Sequence, residues 1–207
     1  MLRGRFITIE GGEGAGKSTN ADFVVEFLKG RGLDAVATRE PGGTPLAEEV
    51  RSILLARRDE TVDPLTETLL IFAARAQHLA MVIEPSLHAG RWVVCERFTD
   101  STFAYQAGGR GVDRALVEQL AELVHGDRWP DLTLYLDVPT AVASPRLAGR
   151  GLDRFEREDR AFFERVRAVY RERADAYDRI ISIDASRELA RVRQDIHAAV
   201  SRFMESS

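Results

Sequence analysis

Eight residues near the amino terminus, Gly11-Gly12-Glu13-Gly14-Ala15-Gly16-Lys17-Ser18, followed by Thr19, carry the clearest chemistry in the chain. Their spacing is G-x-x-x-x-G-K-[ST], the pattern of a loop that wraps phosphate groups. Glycines let successive backbone N–H groups face one centre, and a helix that starts at the end of the loop adds its positive end. Lys17 would then meet the β and γ phosphates, and the Ser18 hydroxyl would meet a Mg²⁺ ion. The flanks are those such a loop needs. Residues 6–10 read as a short apolar strand, and Val24, Phe27 and Leu28 share one face of the next helix. The stretch reads as a nucleoside triphosphate site.

A second set of residues is basic. Arg39 and Arg97 stand at the ends of apolar runs, and Arg146, Arg150 and Arg154 cluster around Gly149 and Gly151. In a doubly wound sheet these arginines converge on the phosphate loop, with more positive charge than one nucleotide requires. Two phosphorylated ligands would use it. An acceptor that is itself a phosphate is largely ionised at neutral pH, its second pKa being about 6, so no general base is needed. The chain accordingly shows no Ser/His/Asp or Cys/His constellation, and neither of the motifs D-x-x-G and N-K-x-D that mark guanine-nucleotide switches.

The elements that must hold these residues follow from periodicity. Residues 35–38, 92–95, 132–137 and 180–184 are short apolar runs, those at 92–95 and 132–137 continuous enough for strands buried on both faces. Helical spacing fills the intervals: a helix from about Pro45, a long stretch over 65–88, another over about 113–124, a short one over 139–149, and two more towards the carboxyl end. Gly108-Gly109-Arg110-Gly111 reads as a flexible loop. Alternation of strand and helix predicts an α/β fold: about five parallel strands with helices on both faces, and a short lid over about 143–156. Residues 1–207 read as one domain.

Composition excludes several classes. A net charge of −4 gives no bulk attraction to nucleic acid or anionic membrane. No apolar run is long enough to span a bilayer, and the first strand begins too early for a signal peptide to precede it. The single cysteine, Cys95, cannot form an internal disulfide. A cytoplasmic enzyme is the expectation. His78, His88, His125 and His197 stand in no motif and read as structural.

In order and spacing, these motifs resemble the bacterial thymidylate kinases, of the P-loop nucleoside monophosphate kinase family. The matching pieces are Ile9-Glu10-Gly11, Thr38-Arg39-Glu40-Pro41-Gly42-Gly43-Thr44, Phe72-Ala73-Ala74-Arg75-Ala76-Gln77-His78, Glu96-Arg97, Ala104-Tyr105-Gln106, Gly108-Gly109-Arg110-Gly111, Asp131-Leu132-Thr133-Leu134 and Leu152-Asp153-Arg154-Phe155-Glu156. The resemblance implies a P-loop NTPase-type sheet, ATP as phosphoryl donor, Mg²⁺, dTMP as acceptor, dTDP as a step towards dTTP, and a homodimer. An alternative within the fold is another nucleoside monophosphate or deoxynucleoside kinase. A non-catalytic nucleotide-binding regulator is the alternative outside it.

Residue roles come with the resemblance. Arg39 and Arg97 would hold the dTMP phosphate, with Glu40 beside them, and Glu13 would reach the sugar 3′-hydroxyl. Arg51, Arg75 and Gln106 would bond the thymine edge, though by themselves Arg75 reads as a mid-helix arginine and Gln106 as a loop capper. Tyr105 would pack on the deoxyribose, and Ser101 and Thr102 would line the same pocket. Phe72 would either stack on the base or belong to the core; Ile71 holds the position one residue earlier. Some relatives carry a basic residue where this loop has Gly14, so the missing charge falls to the lid, with Arg150 or Arg154 touching the transferred phosphoryl group. Glu96, where the family more usually has aspartate, would join Ser18 at the metal. Asp184, Ala185 and Ser186 would lie against adenine.

Overall fold

The computed structural model describes residues 3–147 and 154–205. Five strands, β1 (Phe6–Gly11), β2 (Ala35–Arg39), β3 (Trp92–Glu96), β4 (Leu132–Asp137) and β5 (Ile180–Asp184), form one parallel sheet in the order β2-β3-β1-β4-β5. β1 lies at the centre, and the chain crosses first to one side of it and then to the other. This reversal opens a crevice at the carboxyl ends of β1 and β3, where open α/β sheets take their ligands.

Side chains alternate between the two faces of the sheet, and both faces are covered. Ile7, Ile9, Val94, Leu134 and Leu136 pack on one face against Val24 and Leu28 of α1 (Lys17–Gly30) and Val192, Ile196 and Val200 of the helix Leu189–Glu205. On the other face, Phe6, Val93 and Cys95 meet Leu79, Ile83 and Leu87, and Tyr135 meets Phe162, Val166 and Tyr170 of the helix Arg160–Ala176. Local chemistry sets the helix starts. Thr44 caps α2 (Pro45–Leu55) through Ala47 N, and Asp63 caps α3 (Pro64–His78) through Leu65 N and Thr66 N. Each of these helices has proline at its first position.

Two segments differ from the periodic reading. The stretch expected as one helix over 65–88 is α3, a π-helical turn at Leu79–Ile83, and α4 (Glu84–His88). Pro85 has no N–H for the carbonyl four residues back, and a π turn just before it absorbs that mismatch. The second segment contains the glycines expected to be flexible. After α5 (Thr99–Thr102) the chain runs as a π helix over Phe103–Gly109, then enters α6 (Arg114–His125). Gly108 and Gly109 are glycine for closeness. A methyl group on Gly108 would lie 2.6 Å from Val169 Cγ2, and one on Gly109 would overlap the ring of buried Phe162.

These readings oppose each other in sign. If Gly109 supplied only flexibility, Gly109→Ala in a helical setting would stabilise by up to about 1 kcal/mol. Overlap with Phe162 instead predicts a loss of about 1–3 kcal/mol, measurable by denaturant unfolding.

Candidate functional site

The loop after β1 is shaped by its backbone. Gly14 and Gly16 have φ of 71° and 83°, a region side chains disfavour, and Gly16 starts α1 without a side-chain cap. The first N–H groups of α1 are thus left for a ligand. Lys17 is buried and donates to Gly12 O at 2.9 Å. Burial, then the Arg97 charge, lowers its pKa, while Glu13, Glu96 and Glu10 oppose the shift. Ser18 Oγ donates to Glu96 Oε2 at 2.7 Å, bringing a hydroxyl and a carboxylate together beside the loop.

Next to the loop is a cavity of about 680 Å³, open mouth included. Glu13, Glu40, Arg51, Arg75, Glu96, Arg97, Ser101, Thr102, Tyr105 and Gln106 all line it, together with Pro41, Leu54, Leu55, Ile71, Phe98 and Phe155. Arg97 joins loop and cavity. Its Nη2 pairs with Glu13 and donates to the Tyr105 hydroxyl at 3.0 Å, and its Nη1 donates to Gly11 O at 3.1 Å and Ser101 Oγ at 3.2 Å. Its backbone φ of 67° is unusual for a side-chain-bearing residue. Burial resists ionisation of Glu13, but Arg97, Lys17 and the Tyr105 hydroxyl prevail and bring its pKa to about 2.

The sequence did not single out Glu10, which is fully buried at the end of β1. It accepts from Phe98 N at 2.7 Å, from Tyr170 OH at 2.9 Å and from Ser101 Oγ, and so clamps the turn that carries Arg97. An acid inside a strand buried on both faces was the available signal.

Arg75 is held by Glu40, whose Oε2 accepts from Nε at 2.7 Å, and donates through Nη2 to Thr102 Oγ1 at 3.1 Å. His78 Nδ1 lies 3.0 Å from the other Glu40 oxygen. Arg75 Nη1 is buried and has no protein partner. Glu67, Ile71, Arg75 and His78 recur at four- and three-residue spacing, so one face of α3 carries them. Phe72 is one residue out of that phase. It is buried in the cluster with Phe103 and Tyr135, its ring centroid 4.8 Å from the Arg75 guanidinium carbon, and Ile71 takes the cavity wall.

Three further sets of residues singled out in the sequence stand apart from these contacts. Arg39 ends edge strand β2 and pairs with Glu48 of α2 at 3.0 Å, outside the cavity wall. Arg154 pairs with buried Glu67 and donates to Leu54 O at 3.0 Å, so its partners belong to the cavity side rather than to the phosphate loop. Arg150 and the side chain of Arg146 lie outside the described residues. Asp184 ends β5, and Ala185 and Ser186 follow it in a tight turn, Ser186 N donating to Asp184 Oδ1 at 3.0 Å and Ala185 N to Asp137 O at 2.8 Å.

A strand, phosphate loop and helix at the centre of a 2-3-1-4-5 parallel sheet, with an arginine-bearing cavity beside the loop, define a P-loop phosphotransferase. The thymidylate kinase family profile matches residues 9–196. The chain is 52% identical to the thymidylate kinase of Teredinibacter turnerae over 98% of its own length and 100% of that protein's. It is 53% identical to that of Pseudomonas fluorescens SBW25, over 99% and 98% of the two lengths. The crystal structure of Ehrlichia chaffeensis thymidylate kinase superposes with a TM-score of 0.78 at 34% identity, covering 96% of this chain and 99% of that one. The chain belongs to the thymidylate kinase family.

Glu10 makes stability depend on pH. Burial, then the nearby Asp100 charge, raises its pKa from 4.5 to about 7, against hydrogen bonds from Ser101 and Tyr170 and the charge of Arg97. Between those values the folded chain retains a proton that the unfolded chain has lost, so stability falls as pH rises. The contribution is complete below about pH 4.5 and gone once pH passes about 7. Denaturant unfolding at pH 5 and pH 8 should show the parent losing stability relative to Glu10→Gln over this window. An equal change in both proteins would contradict the assignment.

Proposed function

We propose that the phosphate loop and the cavity are the donor and acceptor halves of one phosphoryl-transfer site. The enzyme transfers the γ-phosphoryl group of ATP to dTMP, giving dTDP and ADP on the way to dTTP. The observation that carries the site reading is the position of Glu13. It belongs to the phosphate loop, yet it lines the cavity and is bound by Arg97 and by Tyr105 OH. One short segment therefore touches both ligands.

In this reading the loop amides of residues 11–19 and Lys17 take the ATP phosphates, and residues 184–186 border adenine. Arg97 takes the dTMP phosphate. Glu13, ionised at neutral pH, accepts from the 3′-hydroxyl, and Tyr105, Ser101 and Thr102 surround the sugar. Arg75 offers its unpaired Nη1 to the base, with Gln106 and Arg51 beside it. Glu40 keeps Arg75 in place. Arg39 is available to the acceptor once it leaves its exposed pair with Glu48, since such pairs are worth at most about 1 kcal/mol. A dTMP phosphate oxygen forms the new bond to the γ phosphorus as the bond to the β-phosphate oxygen breaks and ADP departs. The acceptor arrives ionised, so positioning and charge neutralisation are the protein's tasks. Arg146 and Arg150, whose side chains lie outside the described residues, would add positive charge at the transferred group.

Ser18 and Glu96 would hold Mg²⁺, since a hydroxyl and a carboxylate in contact beside the loop are hard oxygen donors of the kind the ion selects. The ion would supply positive charge to the triphosphate there. The enzyme works in the cytoplasm, a setting compatible with a buried free thiol at Cys95 and with described helices none of which is long and apolar enough to cross a membrane. It works as a homodimer, supported by exposed Leu65 and Leu69 on α3 and Leu123 on α6, the last 81% exposed. Light scattering should return twice the chain's mass at micromolar concentration; the mass of a single chain would remove the dimer.

An ADP-release assay separates the two halves. Lys17→Ala should lower kcat by roughly 10²–10³-fold, as loss of a charge-stabilising donor does. Arg97→Ala should chiefly raise KM for dTMP, by about tenfold or more, and leave KM for ATP near the parent value. Unaltered dTMP kinetics in Arg97→Ala would refute the acceptor-phosphate assignment.

A further inference from the structure

Glu67 is a fully buried carboxylate on α3 that phosphoryl transfer does not employ. Its Oε1 accepts from Gln106 Nε2 at 2.8 Å and Arg110 Nε at 3.3 Å, and its Oε2 accepts from Arg154 Nη2. Arg110 has a second partner in Glu158 at 2.6 Å. A carboxylate flanked by two guanidinium groups has acceptor capacity only. The two ends of a glutamine amide are nearly equal in shape, so the neighbours decide which end faces where. Here Glu67 claims the NH₂ end of Gln106. The carbonyl oxygen is the end left free on a side chain that lines the cavity.

Arg75 completes the pattern. Its Nε and Nη2 are taken by Glu40 and Thr102, and its buried Nη1 is a donor without a partner. The wall thus offers one donor and one acceptor. Thymine and uracil present the complement, a carbonyl at position 4 beside an N3–H. Cytosine presents the reverse, an amino group beside a bare N3. A buried donor facing a donor, or an acceptor facing an acceptor, loses a hydrogen bond and the solvation of both groups.

We propose that Glu67 is a specificity-determining positioning residue: by fixing the amide orientation of Gln106 it sets the site for the thymine and uracil edge against that of cytosine. It acts through Gln106 and does not touch the substrate. The inference rests on the reading of the cavity as the base site. Arg154 pins the other carboxylate oxygen of Glu67, so a residue of the segment expected as the lid also holds the residue that orients Gln106.

The test compares kcat/KM for dTMP, dUMP and dCMP in the parent, Glu67→Gln, Glu67→Asp and Gln106→Leu. In Glu67→Gln, the shorter contact from Arg154 outweighs the 3.3 Å one from Arg110 and retains the carbonyl end of the new amide, so the NH₂ end faces Gln106 and allows its amide to turn over. Thymine and cytosine then each meet one mismatch, and the dCMP:dTMP ratio should rise at least about tenfold. The dUMP:dTMP ratio should hold, because the two bases share that edge. Glu67→Asp, still acceptor-only, should keep the parent ratio even with lower activity, so a Glu67→Gln protein that fails to fold leaves the proposal open to refutation. Parallel decline on all three nucleotides in Glu67→Gln, or a relaxed ratio in Glu67→Asp, would show a merely structural role and overturn the proposal. Unchanged dTMP kinetics in Gln106→Leu would overturn the base-site reading itself, and the proposal with it.

Discussion

The pairing of Glu13 with Arg97 is the contact on which the rest of the site depends. One partner belongs to the phosphate loop after β1, the other to the turn after β3, and β1 and β3 are neighbours in the sheet. A charged pair with both side chains largely buried is not a device for stability, because desolvation offsets much of the attraction. Its value is geometric. Arg97 is pinned from the loop by Glu13 and Gly11, from the π-helical segment by Tyr105, and from α5 by Ser101. Glu10 in turn binds Phe98 N and Ser101, so the strand that leads into the phosphate loop also sets the backbone beside Arg97. On the proposed reading, donor and acceptor phosphates are referred to one rigid unit, and small misplacements are what transfer between two bound groups tolerates least.

A related economy holds the proposed base site. Arg75 is 2% exposed and its guanidinium is engaged by Glu40 and Thr102 and covered by the rings of Phe72 and Phe98. Burying an arginine this thoroughly is unfavourable unless its donors are met. All but Nη1 of the side-chain nitrogens have partners, and an unmet buried donor costs about 1–3 kcal/mol. A network satisfied everywhere except at a nitrogen on a cavity-lining side chain is prepared for a ligand that supplies the missing acceptor. Pre-setting the arginine places its ordering cost in folding rather than in binding.

Most of the fold was legible because its strands are short apolar runs ending in charge, and their positions shift by no more than a residue or so from those read off the periodicity. The phosphate loop was legible because a rigid backbone geometry demands glycine at set spacing. What failed to show was phase. A sequence does not state which face of a buried helix meets a cavity, so Phe72 and Ile71 could not be told apart until the spacing of Glu67, Ile71, Arg75 and His78 was seen on one side of α3. Nor do the π turns have a periodic signature of their own, and the glycines of one of them read as slack when they are points of contact. Arg154 illustrates a third limit. Charge attracts any partner of opposite sign, and motif spacing does not reveal that Arg154 pairs with a distant buried acid.

The same limit explains why Glu10 and Glu67 stayed hidden. Both are buried acids within apolar patterns, one in a strand and one in a helix, and each is satisfied wholly by residues remote in sequence. Periodicity registers such positions only as interruptions. Yet an acid fully removed from water persists in a core only when several donors converge on it, and here the donors are residues beside or within the cavity. Glu10 gathers Phe98, Ser101 and Tyr170 next to Arg97, and Glu67 gathers Gln106, Arg110 and Arg154. On the proposed reading of the cavity, the two buried carboxylates stand behind the two ends of one ligand, so that an acidic residue breaking an apolar run points towards the substrate.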